Sequence, residues 1–166
     1  MTEIEAILSG VRSALETAEV ADVMTAFPAG EKKRFTEPVV ALGVRAGESV
    51  SAGFSEYMGE RYDEDDDAYY EIYGKKLELT LGVDIYAPKE SGAGACLDVL
   101  AKIIAALPAL PSGIRIKRFS CGETGFDAGT GMLLLKADMP CLCFMYADNT
   151  GDSELLDFTL KGVLTD

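Results

Sequence analysis

The chain contains no histidine. That removes the side chain that most often acts as a general base near neutral pH, and with it the commonest metal ligand. Serine–histidine–aspartate and cysteine–histidine catalysis are excluded outright. Cations are scarce: 15 Lys and Arg stand against 28 Asp and Glu, a formal charge of −13 over 166 residues. A surface that acidic repels nucleic-acid phosphates and anionic lipid, so neither nucleic acid nor a membrane surface is an expected partner. Its plainest use is solubility. The four cysteines, Cys96, Cys121, Cys141 and Cys143, form no Cys-x-x-Cys pair and are expected as reduced thiols. No apolar run approaches the ~20 residues that span a bilayer. The start, Met1-Thr2-Glu3-Ile4-Glu5, is acidic and lacks a basic n-region, so no signal peptide is expected.

What the chain does have is a core. Hydrophobic residues make up 48% of it, enough for a single α+β domain over residues 1–166. Thr2-x-x-Glu5 reads as a capping box before a helix over 2–18, with Ile4, Ile7, Leu8, Val11 and Leu15 at helical spacing. A break follows at Phe27-Pro28-Ala29-Gly30, then the basic run Glu31-Lys32-Lys33-Arg34, read as a solvated loop. Pro38 opens a strand over 39–44, closed by Arg45-Ala46-Gly47, and a second extended piece covers 49–59. Five adjacent carboxylates, Asp63 to Asp67, repel one another and place 61–68 in a surface loop or hairpin tip.

The clearest pattern is over 75–87. Leu77, Leu79, Leu81, Val83 and Ile85 alternate with Lys76, Glu78, Thr80, Gly82 and Asp84. This predicts a strand with one core face and one wet face, in an antiparallel or mixed sheet. Residues 69–73 belong either to that strand or to the turn before it. At ~3.3 Å per residue the strand outruns a compact core, so it bends or projects. Ser91 is the expected N-cap of a helix over 93–107. Leu97, Leu100 and Ile104 form one apolar stripe of it, with Cys96, Val99 and Ile103 beside them, so burial on more than one side is expected. Pro108 and Pro111 stop it. A short strand over 114–119, a glycine-rich turn over 122–131, a long strand over 132–146 and a last strand over 155–164 complete the order. Pro140 requires an edge or a bulge in the long strand. The fold expected is an antiparallel or mixed sheet, an N-terminal and a central helix packed on it, and long projecting strands or hairpins.

Candidate chemistry is thin. Asp63, Asp65 and Asp67 share the 1-3-5 spacing of a calcium loop, but Ala68 stands where glycine is needed and Gly74 where a bidentate glutamate is needed. Gly92-Ala93-Gly94 lies between strand and helix like a nucleotide-binding turn, yet Leu97 takes the third glycine's place. Cys141-x-Cys143 supplies two thiols where zinc needs three or four convergent ligands. Arg115, Lys117 and Arg118 form a small basic cluster suited to neighbouring carboxylates, including those of another subunit. Glu78, Asp84 and Glu123 offer carboxylates without a spacing that selects a pair. No enzyme, metal or cofactor is expected.

Several segments together resemble a known family. They are Phe27-Pro28 with Glu31-Lys32-Lys33, Pro38-Val39-Val40-Ala41-Leu42-Gly43, Gly53-Phe54-x-x-Tyr57-x-Gly59, Tyr73-Gly74-x-x-x-Glu78, and Asp84-Ile85-Tyr86-Ala87-Pro88 with Gly92-Ala93-Gly94. In element order they resemble the tail-terminator (tail-completion) proteins of prophages in Gram-positive bacteria. The resemblance implies an α+β subunit of a homo-oligomeric ring, commonly hexameric. The ring caps the tail tube and links it toward the head, with tail-tube and head–tail connector proteins as partners. It implies assembly in the bacterial cytoplasm and residence in the virion tail. The alternatives are another head–tail connector or tail-assembly module, or a small metal- or ligand-binding domain built on the acidic loop.

Overall fold

The computed structural model describes residues 3–25, 35–111 and 113–148. Thr2 of the capping box, the 27–34 segment and the expected last strand lie outside them. The order is α1 (Glu3–Thr17), β1 (Asp22–Met24), β2 (Val39–Ser51), β3 (Tyr57–Asp63), β4 (Ala68–Ala87), α2 (Ala93–Ala106), β5 (Arg115–Ile116), β6 (Ser120–Cys121), β7 (Gly125–Asp127), β8 (Met132–Leu135) and β9 (Ala137–Asp148).

Strand β4 organises the sheet. It is 20 residues long and includes residues 69–73. On one side β2 pairs with it from Lys75 to Tyr86, and β3 continues that side from Ala68 to Tyr73. On the other side β9 pairs from Ile72 to Gly82 and β8 from Ile85 to Ala87. All four pairings are antiparallel; β1 is parallel to β2, so the sheet is mixed.

The alternating leucines do what their period dictates. Leu77, Leu79, Leu81, Val83 and Ile85 are buried under α1 and α2, which contribute Ile7, Val11 and Leu15 and Cys96, Val99 and Ile103 to the same core. The fold is thus α+β, with both helices packed on the sheet. The expected wet face holds only for Lys76, Glu78 and Thr80. From Gly82 onward both faces of β4 are buried. There a second, smaller cluster of Val39, Ala41, Tyr86 and Met132, joined by Met24, Phe35 and Leu134, covers the far side.

Four boundaries differ from the sequence reading for physical reasons. Strand β2 does not close at Arg45-Ala46-Gly47. It runs on to Ser51 because β4 offers a continuous partner, and one residue is absorbed as a bulge between Val44 and Ala46. The glycine-rich 122–131 segment is not all turn, since β7 pairs with β8 across it. The strand over 132–146 is two strands, interrupted at Lys136. The cap of α2 is Gly92 at φ 74°, with a short 3-10 turn over Lys89–Ser91, so Ser91 does not cap.

Pro140 sits opposite Thr80 in β9, and its carbonyl accepts from the Lys117 amide at 2.8 Å. A strand residue points its N and O to the same side, so the missing N–H faces the gap between β5 and β6 and no ladder bond to β4 is lost. In α2 the inward stripe is Cys96, Val99, Ile103 and Ala106, whereas Leu97 and Ile104 are 55% and 51% exposed. The two stripes lie one residue, about 100°, apart, and a helix lying on one sheet face buries one of them.

Candidate functional site

Past the Ile72–Asp148 pair, toward Ala68, the sheet narrows among the described residues to a two-stranded arm. Residues 57–63 and 68–73 pair with each other, and none is buried. The arm is therefore held by its ladder and by cross-strand aromatics. Tyr57 and Tyr73 meet edge to face at 5.7 Å between centroids, and Tyr62 and Tyr69 at 5.0 Å. Their outer surfaces stay open, Tyr69 at 70%. A bend shapes the arm's base: Ser55 and Glu56 both take left-handed backbone, which costs non-glycine residues of order 1 kcal/mol each. Gly53 is required there because a Cβ would overlap the Tyr57 carbonyl oxygen. The bend holds Phe54 94% exposed, and Lys75 ties Glu56 down at 3.1 Å.

The calcium-spaced aspartates form the arm's tip. The Tyr62 hydroxyl donates to Asp67, the Tyr70 hydroxyl to Asp66 at 2.9 Å, and the Asp65 amide to Asp63 at 3.0 Å. The carboxylates of Asp63, Asp66 and Asp67 thus brace the turn, and among the described residues no group of three or more His, Cys, Asp or Glu is arranged to hold a metal. The hydrogen bonds to Asp67 and Asp66 hold the Tyr62 and Tyr70 protons and push both phenols up.

A second constellation lies on the sheet face away from the helices. Arg45 is the bulged residue between the Val44–Leu81 and Ala46–Thr80 pairs, one pair along from Gly82, whose register partners are Gly43 and Asp138. With no side chain in the way, the guanidinium bridges Asp84 and Asp138 and also donates to the Ala137 carbonyl at 3.2 Å. Asp84 is buried, at 4% exposure. An open pocket of about 450 Å³ surrounds this pair, lined by Arg45, Asp84, Tyr86, Asp127 and Lys136 among others. Burial, then Asp84 and Asp127, pushes the Tyr86 phenol up. Asp127 is committed to the β7–β8 turn, accepting from the Thr130 hydroxyl at 2.6 Å and the Thr130 and Gly129 amides. The Thr130 hydroxyl, then these amides, lower its carboxyl below the usual range. The arrangement is a buried ion pair in a polar pocket, with no nucleophile paired to a base.

The three carboxylates named from sequence are not brought together. Asp84 serves Arg45, Glu123 is exposed, and Glu78 lies between Lys117 at 2.7 Å and Lys76 at 2.9 Å. Lys117 first, then Lys76, lower the Glu78 carboxyl from 4.5 to about 2. A folded pKa below the unfolded one contributes stability above about 4.5, lost as pH falls toward 2. Carboxyl-detected NMR titration is expected to find the Glu78 midpoint near 2, and to see it move back up in the Lys76→Met/Lys117→Met variant. An unmoved midpoint would refute the assignment. Cys141 and Cys143 are buried free thiols on the core face. Their mutual hydrogen bond and burial push Cys143 up, away from reactive thiolate.

No family model matches the chain. No curated protein matches it. Among solved structures it is similar to the type 4 fimbrial biogenesis protein PilO from Pseudomonas aeruginosa, at 10% identity and a TM-score of 0.33, over 87% of this chain and 70% of that one. A TM-score that low carries no argument about either protein's role.

The sequence shows the arm as its acidic tip and as a strand long enough to project, but not which strand pairs with it. Its tyrosine walls carry no alternation of apolar and polar residues, since neither of its faces meets a core. Arg45 read as part of a turn because a bulge leaves no local signal. Its partners, Asp84 and Asp138, are 39 and 93 residues away in the chain. Among the described residues no helix is long and apolar enough to cross a membrane.

Proposed function

We propose that this chain is a structural subunit of a phage tail, a ring-forming protein of the tail-terminator kind that caps the tail tube and links it toward the head. The observation that carries the reading is the arm. A two-stranded ribbon with no core beneath it among the described residues does little for the stability of its own subunit, and isolated hairpins are marginal in water. Such a ribbon is useful when a neighbour covers it. Two further surfaces support assembly: Phe54 held outward at the arm's base, and the outward Leu97 and Ile104 of α2. The surplus of carboxylates suits a ring whose channel DNA must traverse without sticking, because like charge suppresses binding. The role is architectural, with self, tail-tube protein and head–tail connectors as partners and no turnover.

Mass photometry and negative-stain microscopy of the purified full chain test this. The expected result is a closed ring, hexameric, whose formation is promoted by tail-tube protein. A chain that stays monomeric at every concentration, with and without tube protein, would overturn the reading.

A further inference from the structure

Arg115 and Arg118 are exposed, and among the described residues neither holds a carboxylate, although the chain carries nearly two acids for every base. The other described arginines each do: Arg12 holds Glu16, Arg45 holds Asp84 and Asp138, and Arg61 holds Asp63. Arg115 starts β5, a two-residue strand that among the described residues pairs only with β9, with no described strand on its outer edge. Residues 112–122 contain no acid to serve these guanidinium groups. The arm is the opposite case. Residues 57–73 contain seven carboxylates and one arginine, and Tyr62 and Tyr69 flank the tip with open aromatic faces.

The two surfaces do not meet within one molecule. Arg115 is level with Leu142, and Leu142 with Glu78. The arm's turn begins beyond Ala68, ten residues further along β4, which is roughly 33 Å at ~3.3 Å per residue. A continuous sheet separates them, so the arm tip reaches such an edge only on another copy.

We propose that the open β5 edge, through Arg115 and Arg118, receives the acidic, tyrosine-walled arm tip of a second copy of this chain. This rests on the reading of the protein as a self-assembling subunit and names the contact. Guanidinium groups suit it in two ways, since their planar fork matches carboxylates and their faces stack on tyrosine rings. The two patches are different surfaces, so the contact is head-to-tail. Passed on from copy to copy such contacts build a ring or a filament, whereas two copies that exchange tips reciprocally close as a two-fold dimer.

The test uses the full chain with two charge reversals placed away from the core, Arg115→Glu/Arg118→Glu and Glu64→Lys/Asp65→Lys. Circular dichroism confirms that each variant folds. At low salt the wild type is expected to assemble and to come apart as salt rises. Each reversed variant should need about ten-fold or more higher concentration to assemble. Mixing the two variants should restore assembly, because the first's acidic tip meets the second's arginine edge and the second's lysine-bearing tip meets the first's glutamate edge. Combining both reversals in one chain should restore assembly. Variants that form the same ring as the wild type would overturn this contact and leave the ring reading standing. A wild type that stays monomeric with and without tail-tube protein would overturn both.

Discussion

Replacing Arg45 with methionine is expected to destabilise the protein by roughly 3 kcal/mol, with little change in side-chain bulk. The loss comes from what is left behind. Asp84 is 4% exposed, and Arg45 bridges it to Asp138 and to the Ala137 carbonyl. Without the guanidinium, a carboxylate stays buried with its countercharge gone, and removing one partner of a buried pair costs more than the intact pair contributes. Arg45→Lys should recover only part of the loss, because one ammonium does not reproduce a fork that reaches three acceptors. Arg45→Met/Asp84→Leu should recover most of it, because the orphaned charge is removed with its partner. Urea denaturation of the three variants measures this. A loss under about 1 kcal/mol for Arg45→Met would show that water reaches Asp84 and that the pair is only a surface feature.

That pair also marks where a reading from sequence stops. The period-2 leucines of β4 are legible because a strand needs no distant information to alternate. The burial of Asp84 is not, since it depends on β2 bulging at Arg45 and on Tyr86, Val39 and Met132 closing the second face. Helix α2 shows the same limit. Its two apolar stripes are equal in the sequence, and only the sheet's position decides that Val99 and Ile103 go in while Leu97 and Ile104 stay out. The acidic run at 63–67 reads correctly as a tip, because five adjacent carboxylates exclude burial whatever the fold. That the strand projects follows from its length, but which residues face one another along the arm needs the β3–β4 register, which is a pairing outcome and not a composition. The proposed tail role is less legible still, for it draws on likeness of fold-supporting residues and on no site chemistry.

The largest functional effect is expected from removing the arm. With residues 58–72 replaced by Asn-Gly, Tyr57 and Tyr73, which are register partners, would be joined by a two-residue turn of the kind that fits strand twist. The subunit should still fold, with stability within about 1 kcal/mol of the parent, because none of the deleted side chains is buried. The deletion also takes away seven carboxylates and one arginine, which relieves self-repulsion and offsets the lost ladder. Assembly, by contrast, should be abolished and not merely weakened, because Arg115 and Arg118 of every copy would lose their occupant. Thermal melts and mass photometry on the same sample separate the two effects. A variant that melts like the parent and no longer assembles places the arm's free energy between subunits. A variant that unfolds would show that the arm is part of its own subunit's core. One that still builds the parent ring would move the search for the interface to Phe54 and to the outward face of α2, the apolar surfaces that the deletion leaves untouched.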